Sequence, residues 1–177
     1  MYELDIPINE KKPLVQNLFK SAAASYLKAY ELIPEEKLQK SIYSISNFLV
    51  LNSVSGVLTV SIKNKKINIT ALIEKVAGPL SVTRSRHADF WEDISSVNLM
   101  EAQLFYSDIK EIMPLCKKIL KNYKAIWKVS GTKKHLETEI EQIAIFNKIV
   151  EVHTNTKWME EMRKGLEYLV KGFEEMK

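Results

Sequence analysis

The stretch Ser85–Asp93, SRHADFWED, gathers a histidine, an arginine, an indole and three carboxylates within nine residues. These are the side-chain types from which general acid–base sites and metal centres are built. On a helix, His87, Phe90, Trp91 and Ile94 fall at i, i+3, i+4 and i+7 and share one apolar face. Arg86, Asp89 and Asp93 lie on a flank, where Arg86 can pair with Asp89. The nearby carboxylates point away from the imidazole, and neither H-E-x-x-H nor E-x-x-H occurs. The favoured reading is a packed, hydrogen-bonded histidine. A nucleotide- or RNA-facing role beside Arg84 and Arg86 comes next, and no metal centre is expected. The only catalytic candidates are therefore His87 with Arg84 or Arg86, as a metal-independent ribonuclease.

The other polar candidates are weaker. His135 follows Lys133 and Lys134 at a helix start, and His153 ends a helix, where a protonated imidazole suits the helix dipole. Both are read as surface residues. Cys116 lies on the apolar side of its helix and reads as a buried thiol rather than a nucleophile. No G-x-S-x-G, Walker A, G-x-G-x-x-G or Cys–His pattern is present, and no cofactor is expected.

The most asymmetric feature is a window without acids. Between Glu111 and Glu137 stand Lys117, Lys118, Lys121, Lys124, Lys128, Lys133 and Lys134, with no Asp or Glu among them. Lys117, Lys121, Lys124 and Lys128 are spaced i, i+4, i+7 and i+11 and line one helix face. Such a row can track a phosphate backbone by releasing counterions. Cys116, Ile119, Leu120, Tyr123 and Trp127 occupy the opposite side. Tyr123 and Trp127 border the row and have the rings to stack on bases, although inward packing is favoured for both. The competing reading is a solvated face neutralised by Glu137–Glu141 or by the acidic last helix.

The elements that must position these residues are mostly helical. Gly and Pro number five each, and apolar residues make up 46% of the 177, so a sizeable core can be buried in helices with few breaks. Pro13 suits a first helical turn, followed by Leu14, Val15, Leu18, Phe19, Ala22, Tyr26, Leu27 and Tyr30 at helical spacing. Pro34 restarts a second helix through Leu38, Ile42, Ile45, Phe48 and Leu49. That helix is expected to continue to about Ile62, in preference to a small hairpin between 57 and 69. Thr70 is expected to cap a short helix that Gly78 and Pro79 end, and Ser81 or Thr83 to cap the next. A long helix is expected from about Leu99, with Ala102, Phe105, Ile109 and Ile112 inward and a kink or split at Pro114. After a break at Ser130–Thr132 come two more helices, one carrying Leu136, Ile140, Ile143, Ala144 and Val150, the other Trp158, Met162, Leu166, Leu169 and Phe173. The expected fold is an all-α antiparallel bundle of five to seven helices, with residues 1–129 as a core and 130–177 as a helical pair packed on it.

The charge, 26 basic against 22 acidic residues, permits an anionic partner without requiring one. One cysteine excludes an intrachain disulfide and is consistent with a reducing cytoplasm. No run of about 18 apolar residues exists, and the first twelve residues lack a signal-peptide pattern.

Two segments, SAAASYLKAYELIPEEKLQKSIYSISNF and RHADFWEDISSVNLMEAQLFYSDIKEIM, resemble the HEPN superfamily, in its archaeal repeat-encoded, PaREP-type branch. Tyr26, Leu27, Ala29, Glu31 and Leu32 match a first-helix pattern. Gln39 and Ser41 match the opening of a second helix, and His87, Asp89, Phe90, Trp91 and Glu92 a third. The similarity covers roughly residues 14–125. It implies a helical bundle, often dimeric, in RNA processing or toxin–antitoxin and defence systems. Active HEPN ribonucleases carry an arginine four to six residues before the histidine. Here Arg84 precedes His87 by three, Arg86 by one, and no histidine follows Arg163. The resemblance thus implies a non-catalytic member. A fainter similarity links TRSRHADFWEDISSVNLMEAQLFY to the helical domain of primase large subunits, without their four cluster cysteines. The expected function is a binding or accessory protein in a larger complex or a defence or replication context. It would touch RNA or DNA through Lys117, Lys121, Lys124, Lys128, Lys133, Lys134, Arg84 and Arg86, and have a protein partner or a second copy. The alternatives are the HEPN-like ribonuclease and a purely structural protein–protein bundle.

Overall fold

A computed structural model of the chain describes residues 8–34, 42–80 and 90–176. Seven helices and one hairpin occur among them: α1 (Ile8–Glu31), α2 (Ile42–Asn52), β1 (Thr59–Ile62), β2 (Lys65–Asn68), α3 (Ile69–Leu80), α4 (Phe90–Leu104), α5 (Ile109–Ser130), α6 (Lys133–Glu151) and α7 (Thr156–Glu174). The fold is an all-α bundle with a small β-hairpin.

Five helices close a ring. α2 packs on α4, α4 on α5, α5 on α7, α7 on α6, and α6 back on α2. α1 lies outside α2, and α3 with β2 lies outside α4. Spatial order therefore departs from chain order, because α7 inserts between α5 and α6. Gly165 of α7 sits against Ile112 and Cys116 of α5, and Gly172 sits against Leu120. The contacts advance the same way along both helices, so α5 and α7 run parallel while α6 returns between them in sequence. An added Cβ at Gly165 would lie 2.8 Å from Cys116 Sγ, so the missing side chain is what admits α5 so closely.

The apolar stripes meet inside this ring. Ile45, Leu49, Ile94, Val97, Leu104, Ile119, Tyr123, Leu136, Ile143, Leu166, Leu169 and Phe173 are fully buried, each aliphatic or aromatic side chain contributing roughly 1.5–3 kcal/mol. One continuous cluster includes residues on both sides of the Gly131–Thr132 link. Phe105 carries the core toward the far turn, meeting the rings of Phe146 at 5.3 Å and Trp158 at 6.2 Å.

Several boundaries differ from expectation. α2 stops at Asn52 instead of continuing to Ile62, and a hairpin follows. Gly56 takes the left-handed conformation at φ 66°, which ends the helical path. Lys63 and Asn64 then form a two-residue turn with φ 47° and 64°, the twist that matches antiparallel strands. The register pairs Thr59 with Asn68 and Ile62 with Lys65, and Ile62 reaches the core. A lone hairpin is marginal, but this one is anchored at its tip, where the Lys63 amide donates to Glu31 Oε1 at 2.8 Å. Asn68, not Thr70, accepts the first free amide of α3, from Thr70 N at 2.8 Å, and α3 runs through Gly78 and Pro79 to Leu80.

The expected long helix from Leu99 is two helices, and the break lies at Phe105–Asp108 rather than at Pro114. There the amides of Phe105, Tyr106 and Ser107 bond to carbonyls three residues back, at 3.3, 2.9 and 3.3 Å, and Asp108 turns extended to start α5. Pro114 sits in the second turn of α5, where it deprives only the Lys110 carbonyl of its donor, and Lys110 faces solvent. α1 likewise begins at Ile8 and contains Pro13. Leu14, Leu18, Ile109 and Ala144, read as inward-facing, are exposed.

Candidate functional site

α5 is strongly amphipathic. Ile112, Cys116, Ile119, Leu120 and Tyr123 face the ring, and the lysines stand on the other side. Lys117, Lys121 and Lys128 are exposed and Lys124 is half-buried. At 100° per residue, Lys110 falls on the same line, so the row runs from Lys110 to Lys128 over about 27 Å. None of these lysines has an ion-pair partner among the described residues, where the ion pairs are Lys133–Glu137, Lys148–Glu151 and Lys164–Glu161. Among the described residues no ion pair joins Glu137–Glu141 to the row. Glu137 takes Lys133 at 3.8 Å, and Glu139 is buried.

Lys118 belongs elsewhere. It lines a cleft of about 460 Å³ together with Glu74, Glu111, Gln103 and Tyr106. Lys134 is exposed beyond the end of α5. Tyr123 is fully buried, its ring 4.6 Å from Phe173, and the half-buried Trp127 folds over Gly131. Tyr123 is therefore removed as a base-stacking platform. Arg84, Arg86 and His87 lie outside the described residues, as do Gln39, Ser41 and Asp89.

His153 follows the end of α6, but it is half-buried rather than on the surface. Its ring packs on Trp158 at 4.6 Å, and its Nε2 lies 3.3 Å from Ser53 Oγ. Burial, then the charge of Lys12, lower its pKa. The cation at that helix end is Lys12, which donates to the His153 carbonyl at 3.3 Å. The Ser53 hydroxyl donates to the Val50 carbonyl at 2.6 Å. Cys116 is fully buried, as its position on the apolar side requires, and burial pushes its thiol up to about 12.

The residues missed from sequence are acidic. Glu101 of α4 and Glu139 of α6 lie inside the ring, 0% and 1% exposed. Gln142, one turn after Glu139, donates its amide to Glu101 Oε2 at 2.9 Å. Glu101 Oε1, Glu139 Oε2, Ser46 Oγ and Asn98 Oδ1 are buried without a hydrogen-bond partner. A small cavity of about 10 Å³ is lined by Ser46, Asn98 and Gln142, which is room for about one water molecule. Burial, then the charge of Glu139, holds Glu101 well above the usual carboxylate range, with the Gln142 hydrogen bond opposing. Burial pushes Glu139 up to about 7. The available signal was positional. Glu101 continues the stripe Ile94, Val97, Leu104, and Glu139 the stripe Leu136, Ile143, Phe146.

No group of three or more metal-ligating side chains occurs among the described residues. No described helix is long and apolar enough to cross a membrane. Comparison with family models, curated proteins and solved structures finds no match to this chain.

Proposed function

We propose that this protein is a non-catalytic helical binding protein that holds nucleic-acid phosphates against the outer face of α5. The observation that carries the reading is the row Lys110, Lys117, Lys121, Lys124 and Lys128, left without ion pairs among the described residues. A rigid helix packed on two neighbours holds the ammonium groups in line, so little ordering of the backbone accompanies binding. Lysines on flexible stems give point charges suited to phosphates rather than base edges, so the contact is sequence-tolerant. With Tyr123 buried and Trp127 folded inward, stacking on bases contributes little from this face, and affinity rests on counterion release. The HEPN resemblance is in keeping with a nucleic-acid context, and its missing arginine–histidine spacing with a role in binding rather than cleavage.

The test is retention of a mixed oligonucleotide pool at low salt. Replacing Lys117, Lys121, Lys124 and Lys128 by Glu should abolish retention. For the wild type, log K should fall with log salt with a slope of about −0.9 per phosphate engaged. Unchanged retention by the four-fold variant, with its helical content intact, refutes the reading.

A further inference from the structure

The interior of the five-helix ring holds an excess of acceptors. Glu101 and Glu139 enter from α4 and α6, both cut off from solvent. No lysine or arginine is paired with either among the described residues. Among the described residues, these polar or aromatic groups lie on the helices around them. α5 contributes the Cys116 thiol and the Tyr123 phenol, both feeling the negative charge of Glu101. α6 adds Gln142, and His135 one turn before Glu139. α2 adds Ser46, and α7 offers the apolar Phe173 ring against Tyr123. Among the described residues none of these supplies a fixed positive charge, and two neighbouring carboxylates inside low-dielectric surroundings cannot both stay ionised without one.

We infer that Glu101 and Glu139 act as a proton-holding pair that ties α6 to α4 across the interior of the ring, holding the bundle tight while protonated and loosening it when both carboxyls ionise. A carboxylic acid has a donor that a carboxylate lacks. Protonation therefore removes the buried charge and turns an orphaned acceptor, Glu101 Oε1 or Glu139 Oε2, into a hydroxyl that can donate. The amide of Gln142 fixes Glu101 Oε2 from the α6 side, so the Glu101 carboxyl is already tied to the helix it has to retain.

The direction of the pH effect follows from linkage. The folded chain holds protons that unfolded glutamates release above about pH 4.3. Rising pH then favours the unfolded state, by up to about tenfold in the unfolding constant per pH unit for each proton retained. Denaturant unfolding of the full chain from about pH 5 to about pH 8 should show the wild type losing stability. Glu101→Gln/Glu139→Gln should lose this component, and the difference between the two proteins cancels the opposing contribution of His153. Equal slopes in wild type and double variant overturn the proposal.

A second measurement does not depend on the variants folding. Isotope-edited infrared spectra of glutamate-labelled wild type at about pH 6 should contain the carbonyl band of a protonated, water-excluded carboxylic acid, which fades as the pH rises. Hydrogen exchange in α6 should speed up over the same interval. A spectrum showing only carboxylate at about pH 6 overturns the latch. So does restoration of stability at high pH by added Mg²⁺ or Mn²⁺, which would make the pair a cation site.

Discussion

Tyr106 ties three elements with one hydroxyl. It donates to the Leu49 carbonyl at 2.6 Å and accepts from Asn52 Nδ2 at 3.3 Å, while the same Asn52 amide holds the Val57 carbonyl at 2.9 Å. The end of α2, the approach to the hairpin and the α4–α5 turn are thereby fixed against each other. Burial pushes the phenol up to about 12, although the Asn52 hydrogen bond opposes the shift, so the hydroxyl keeps its proton at any physiological pH. Tyr106→Phe preserves the packing and strips both bonds. We predict a loss of about 1–3 kcal/mol, since the buried Leu49 carbonyl is left without that donor, read from the urea midpoint with an unchanged m value. At this scale the sequence was only partly legible. Buried apolar residues such as Ile45, Met162 and Leu166 announced themselves by spacing. Glu101 and Glu139 occupy equally periodic positions, but a carboxylate on an apolar stripe is ordinarily read as a break at its edge, because its burial is costly unless another group compensates. Whether such compensation exists depends on what other helices bring, and that information is non-local.

Among the elements, the hairpin shows how a local preference is overruled. Residues 57–62 carry a short alternation that either a helix or a strand accommodates. The decision lies in Gly56 and in the Glu31 carboxylate, which is 32 positions away from Lys63. The tip uses Lys63 and Asn64, both with positive φ, in place of the Asn-Gly pair that turns of this type prefer. The double change Lys63→Asn/Asn64→Gly relieves left-handed backbone strain, set at roughly 1–2 kcal/mol for an ordinary residue. Set against the added chain entropy of the new glycine, roughly 0.5–1 kcal/mol, a net gain of about 0.5–1 kcal/mol in unfolding free energy is expected, together with slower hydrogen exchange at Ile62 and Lys65. The amphipathic character of α5 was fully legible, since its lysines and its apolar residues separate cleanly at 3.6 residues per turn. Its beginning was not, because the break at Phe105–Asp108 comes from tertiary anchoring of Tyr106 and carries neither glycine nor proline.

For the molecule as a whole, the parallel contact of α5 and α7 decides the packing. An added Cβ at Gly172 would fall on the Leu120 side chain, which is itself buried. Gly172→Ala gains helix propensity, worth roughly 1 kcal/mol, yet forces two packed helices apart. Overpacking of this kind costs about 1–3 kcal/mol, so net destabilisation of up to about 2 kcal/mol is predicted. A lower melting temperature with an unchanged circular dichroism spectrum is the check, and a higher one would show that Leu120 yields freely. The general architecture, helices joined by short links, could be read from sequence. The order of neighbours around the ring could not, because short links constrain which helices are consecutive and say little about which close the circle.

That order has a consequence for how the chain comes into being. A ribosome delivers α2, α4, α5 and α6 before α7, yet α7 is the stave between α5 and α6. Without it α5 and α6 have no stave between them, and the ring stays open on that side. Under the latch proposed above, the two glutamates can take up their protons only once α7 has docked, so the final folding step should itself be favoured by low pH.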